Sequence, residues 1–183
     1  MSVKVHSIQT VGLKANIIDV EVDLSQGLHS FSVVGLPDKA VEESKDRISA
    51  AIKNSGFTSP QKKNQKVIVS LAPADLKKEG PIFDLAIALG YMLASKQMLF
   101  DSKEKIFLGE LALDGTIRPI KGVLVLVKSA KDAGHKEIFI PKENAKEAGL
   151  ISGIKVFGCG SLSEIIWHFD RHSDFELKEQ PRT

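Results

Sequence analysis

The sequence predicts an α+β domain. Three observations carry this. The first third alternates apolar and polar residues at period two, later segments alternate helical stripes with short apolar strands, and "GPIFDLAIALGYMLAS" is apolar on every side.

The elements follow in order. "VKVHSIQTVG" and "KANIIDVEVDL" read as strands, the second placing Ile18, Val20, Val22 and Leu24 on one face. "SQGL" reads as a turn and "HSFSVVG" as a third strand, together an antiparallel unit with one buried face. The period then changes. Val41, Ser44, Ile48, Ala51, Ile52 and Ser55 share a helical stripe, opened by Pro37 or Asp38 and closed by Gly56. Glu42 and Glu43 suit the positive N-terminal end of that helix. "TSPQKKNQK" is a basic loop, "VIVSLAP" a short strand and "GPIFDLAIALGYMLAS" a central buried helix.

"KIFLGELALDGTIRPI" predicts two strands joined at Asp114-Gly115, a strong hairpin signal. "GVLVLVKSAKDAGH" is a helix ending near Gly134, "KEIFIP" a strand, "KENAKEAGL" a short helix and "IKVFG" a strand. "SLSEIIWHFD" is the last helix, capped by Ser161 or Ser163. One domain is expected over residues 1–170. Residues 171–183, polar and without periodicity, are expected to be a linker.

Composition narrows the chemistry. With 183 residues, 43% hydrophobic and 26% charged, the chain can bury a sizeable core without cross-links. A single cysteine, Cys159, rules out an intrachain disulfide and a multi-cysteine zinc site, and points to the cytoplasm. No apolar run reaches membrane-spanning length, and the N-terminus has no signal-peptide core, so no membrane partner is expected. A net charge of +2 does not by itself imply nucleic acid. P-loop, dinucleotide and serine-hydrolase-elbow motifs are absent from the sequence. His168 and His172 are four apart but lack a carboxylate partner, and no metal site is expected.

Four stretches in order carry a resemblance: "FSVVGLPDKAVEESKDRISAAIKNSGF", "VIVSLAPADLKKEGPIFDLAIALGYM", "FLGELALDGTIRPIKGVL" and "AGHKEIFIPKENAKEAGL". Together they resemble the N-terminal, Lon-protease-like domain of the Mg-chelatase-like AAA+ ATPases, the ComM/YifB-type competence proteins. The resemblance implies the fold of the second domain of ribosomal protein S-five, as in the Lon proteolytic domain. It also implies a following AAA+ module that would bind ATP and Mg2+, with no cofactor in this chain. Self-association in a hexameric ring, DNA as a partner, and branch migration during natural transformation are further implications. A metal-chelatase-type ATPase subunit is the alternative.

Lon-type proteases use a serine directly after Gly-Pro and a lysine just after a Pro-Ile-Gly-Gly type turn. Here Gly80-Pro81 is followed by Ile82, and the position matching the lysine in "RPIKGVLVLVK" is Leu124. Neither alkyl group can attack a carbonyl or take a proton, so a catalytic dyad is not expected. Lys121 and Lys128 flank the lost position, and Ser44 faces the core.

Of the carboxylates near this region, Asp84 is expected to sit in the first turn of the apolar helix, with Lys77 or Arg118 as its partner. Glu110 is expected to pair with Arg118 across the hairpin. Lys62, Lys63, Lys66, Lys77 and Lys78 form a candidate phosphate-contacting group. No aromatic residue lies among them, so base stacking is not expected there.

Overall fold

The computed structural model describes residues 2–62 and 64–183, with Lys62 described by its backbone alone. It is a mixed α/β domain built on a sheet in the order β3-β4-β2-β1-β5-β8-β9. The N-terminal strands are β1 (Ser2–Val11), β2 (Lys14–Gln26) and β3 (Ser30–Val34), followed by α1 (Lys39–Asn54), β4 (Gln65–Ala72) and α2 (Asp84–Ala94). Then come β5 (Lys105–Phe107), β6 (Glu110–Leu111), β7 (Ile117–Arg118) and α3 (Val123–Asp132). The chain continues through β8 (Glu137–Pro141), α4 (Ala145–Ala148), β9 (Lys155–Cys159) and α5 (Leu162–Phe169).

The first two strands form the predicted antiparallel hairpin, in register from Ser2↔Asp23 to Val11↔Lys14. The third departs from expectation. β3 does not continue the meander but runs parallel to β4, and β4 takes the free edge of β2 in antiparallel register. Alternation fixes which face a strand buries, not which neighbour it pairs with. β5, β8 and β9 are all parallel, and the first of them runs parallel to β1. Their near-continuous apolar sequences fit strands covered on both faces.

One face carries α1, α2 and α5. Phe107, Phe139 and Phe157 stand side by side on neighbouring strands there, with ring centroids 4.9 Å apart at each step. The helix α2 is buried almost all round, as its sequence predicts. α1 buries its Val41, Ile48, Ala51 and Ile52 stripe, and an Ile→Ala change in it costs about 2–5 kcal/mol. The opposite face is covered by α3 and α4 over a second apolar cluster that includes Ile8, Ile106, Val127 and Ile138.

Local signals explain the helix ends. The Asp38 side chain accepts the Val41 amide at 2.9 Å and caps α1, while Gly56, at φ 88°, closes it. Ser161 caps α5 by accepting the Glu164 amide.

Two expectations change beyond β3. The first predicted strand of "KIFLGELALDGTIRPI" is divided. β5 joins the main sheet, whereas β6 pairs with β7 in a separate ribbon. Gly109 makes the division, its amide donating to the Ile82 carbonyl and its own carbonyl accepting from the Leu85 amide. Of residues 171–183, expected as a linker, the last few lie against the edge strand β9 and the end of α4. Gln180 donates its amide to the Val156 carbonyl at 2.7 Å, Thr183 donates to the Gly149 carbonyl at 2.9 Å, and Leu177 is buried. These are mainly backbone contacts, which a polar sequence does not reveal. Among the described residues, no helix is long and apolar enough to cross a membrane.

Candidate functional site

The Gly80-Pro81 break sits at the mouth of a cleft of about 450 Å³. Gly80 adopts φ 80°, a conformation that suits glycine, and Pro81–Phe83 form a short 3-10 turn leading into α2. Several side chains fix this wall. Gln9 of β1 donates to the Lys77 carbonyl at 2.7 Å and accepts the Glu79 amide at 3.1 Å. The second carboxylate oxygen of Asp38 accepts the Gly80 amide at 3.0 Å, so one residue caps α1 and holds the break. Backbone bonds between Leu36, Asp38 and Lys78 complete the brace.

The facing wall is the turn from Pro119 to Lys121 and the start of α3. Asn144 clamps it, accepting the Ile120 amide and donating to the Ile120 carbonyl, both at 2.9 Å. Each wall is therefore held by a side-chain amide that bonds the backbone twice, which fixes the cleft without closing it.

Ile82 lines the cleft and packs against both apolar clusters. Leu124 is half-buried on the first turn of α3, and the α3 residue lining the cleft is Leu126. Lys121 lines the cleft and is exposed, whereas Lys128 bonds Asp132 at 3.2 Å on the outer face of α3. Ser44 is buried, its hydroxyl donating to the Val41 carbonyl. Thr10 supplies a hydroxyl to the lining, and among the described residues no basic nitrogen is hydrogen-bonded to it. Among the described residues the lining thus holds no hydrogen-bonded nucleophile–base pair.

Asp84 lies just inside the wall, and its partner differs from the expected Lys77 or Arg118. The carboxylate is fully buried and takes Arg47 of α1 in two bonds, Nε at 2.7 Å and Nη2 at 3.0 Å. It also accepts the Leu111 amide at 3.0 Å. Arg47 in turn donates to the Ala40 carbonyl. The carboxylate therefore ties α1, α2 and β6 together rather than capping its own helix. Burial pushes the Asp84 carboxyl up to about 6, against the opposing pull of Arg47, while the bond to Asp84 raises Arg47. The sequence held a faint signal of this pair: position 47 borders the buried stripe of α1 beside Ser44 and Ile48. Glu110 and Arg118 stand opposite each other in the β6–β7 ladder, but among the described residues their side chains form no ion pair.

Among the described residues, Lys66, Lys77 and Lys78 do not come together. Lys78 is fully buried, its ammonium bonded to the Pro73 carbonyl and its pKa lowered by burial, so it is not available to a phosphate. Lys66 is near the start of β4 and Lys77 lies beyond its far end, about 20 Å or more along the strand. Lys77 also pairs with Glu79 at 3.8 Å. Lys62 is described by its backbone alone, and Lys63 lies outside the described residues.

Comparison with known sequences places this cleft in a family. The profile described as subunit ChlI of Mg-chelatase matches residues 20–144, a span containing Arg47, Gly80-Pro81, Ile82, Asp84 and Leu124. The chain belongs to the Mg-chelatase ChlI-like family. Among relatives of this ChlI-like chain, the competence protein ComM of Haemophilus influenzae is 39% identical over 163 residues, covering 88% of this chain and 31% of ComM. YifB of Escherichia coli is 42% identical over 150 residues, 81% of this chain and 29% of YifB. Lon protease 2 of Bacillus subtilis is 27% identical over 164 residues, 81% of this chain and 29% of that protease. The ChlI-like chain thus spans less than a third of the length of these relatives.

Proposed function

We propose that this chain is a non-catalytic, Lon-like module of a larger Mg-chelatase-like AAA+ protein. Its fold is that of the Lon proteolytic domain, and its role is ring assembly or the engagement of DNA or another substrate. The observation that carries the reading is the cleft itself. The Gly80-Pro81 break and the 119–121 turn face one another, braced on both sides; of the two positions that the Lon resemblance implies for reactive groups, the one in the lining holds Ile82 and the one on the first turn of α3 holds Leu124. Retained architecture without the Lon-type serine and lysine fits a scaffold whose chemistry resides elsewhere. The competence protein ComM, of which this chain covers 31%, supports a competence-related role for the whole protein. On the family resemblance we further propose that the whole protein is cytoplasmic and that its motor would bind ATP and Mg2+, form a hexameric ring and act on DNA as a branch-migration helicase.

The test is a peptidase assay with casein and fluorogenic peptides. The unmodified chain is expected to cleave neither. Ile82→Ser with Leu124→Lys measures how far the cleft alone can organise the chemistry. Clear cleavage by the unmodified chain would sink the non-catalytic reading.

A further inference from the structure

Two open grooves meet on the surface formed by the loop after α2 and the outer side of α5. Their volumes are about 570 and 650 Å³, and they share Gln97, Met98 and Leu99. Trp167, the single tryptophan of the chain, lines the first groove and is 44% exposed. Leu99, common to both, is 79% exposed. Phe175 meets the indole at 5.7 Å, edge to face, and helps fix its position.

The charges around this apolar floor are mostly of one sign. Lys96 and Lys4 line the second groove, and Arg171 lines the first. The acid in the two linings is Asp170, whose carboxylate already accepts the His172 amide. Lys4 lies 3.8 Å from Asp19 but keeps about half of its side-chain surface exposed. Asp174 and Glu176 flank Phe175 in sequence, which leaves the Lys96 and Arg171 sides for a polyanion.

We propose that this surface binds single-stranded DNA, with a base stacked on Trp167 and the backbone phosphates led past Arg171, Lys96 and Lys4. The proposal rests on the reading that the module engages DNA, and it moves the contact from Lys66 and Lys77 to the surface around Trp167 of α5. Stacking on an aromatic face tolerates any base, and adjacent cations supply the salt-dependent part of the affinity. An apolar partner protein would use Leu99 and Trp167 equally well but would have no use for the three cations.

The experiment follows the fluorescence of Trp167 in the whole chain, and the anisotropy of a labelled oligo(dT) of about twelve nucleotides, in one titration over a salt series. The expected result is indole quenching that saturates together with the anisotropy rise. Trp167→Leu should weaken binding about 10-fold or more, and Trp167→Phe should restore part of it. Lys96→Gln with Arg171→Gln should reduce the salt slope by about 1.4, or 0.7 per lost phosphate contact. An anisotropy rise that Trp167→Leu leaves unchanged, without quenching, keeps DNA engagement but overturns this surface. No rise at low salt overturns both. A shift of the indole emission with protein concentration in the absence of DNA would instead mark a docking face for a second copy and overturn the proposal.

Discussion

Replacing Arg47 with Met removes both guanidinium bonds to Asp84 and leaves the buried carboxylate with the Leu111 amide. Breaking a buried pair from one side costs about 3–5 kcal/mol. The Arg47 side chain keeps 18% of its surface exposed, which favours the lower end of that range. With a urea slope of about 2 kcal/mol/M, a loss of about 3 kcal/mol lowers the midpoint by about 1.5 M. Trp167, on α5, reports the transition by its emission. A pH series separates this cause from simple loss of packing. The Asp84 carboxyl is raised from 3.8 to about 6, so its ionised form opposes folding. The stability it contributes is fully present below the lower value and lost as pH rises through the higher one. Between pH 7 and pH 5 the wild type should therefore regain about 1.4 kcal/mol through this group. In Arg47→Met the carboxyl rises further, so the gain begins at higher pH and is larger. Asp84→Asn lacks the gradient, and subtracting its curve removes the opposite trends of His135 and His168, whose pKa values are lowered by burial. The double variant should fall short of the summed single losses by about 1–3 kcal/mol. An Arg47→Met loss below about 1 kcal/mol, or one identical at pH 5 and pH 8, would refute the claim that this pair fastens α1 to α2.

Gly35→Ala should destabilise by at least about 2 kcal/mol, because φ is +108° and the new Cβ would lie 2.1 Å from the Leu71 carbonyl oxygen. A melting temperature equal to that of the wild type would contradict it. Cys159 is fully buried and its thiol is pushed up by burial, so it should not react with a disulfide reagent until denaturant is added. Rapid native-state release of the reagent's chromophore at mild pH would show that β9 opens more readily than its tail cover implies.

The sequence by itself determined the elements and their buried faces. The period-two alternation of β2, the stripe on α1 and the all-round apolarity of α2 are written in neighbouring residues, because side-chain direction follows from local backbone geometry. The Asp114-Gly115 turn and the helix starts are local in the same sense, though the structure chose Asp38 over Pro37 and Ser161 over Ser163 as caps. The absence of a nucleophile at Ile82 is a matter of composition at a recognisable break. What only the tertiary structure decided is which distant groups meet. The parallel placement of β3 beside β4, the Gln9 and Asn144 clamps and the choice of Arg47 over Lys77 or Arg118 all join residues far apart in the chain. Pairings of this kind depend on how whole elements stack, and one chain can offer several partners of the right charge. The same physics separated Lys66 from Lys77 and Lys78. Residues near in sequence along an extended strand move apart by about 3.3 Å each, and Lys78 found a carbonyl inside the domain rather than solvent.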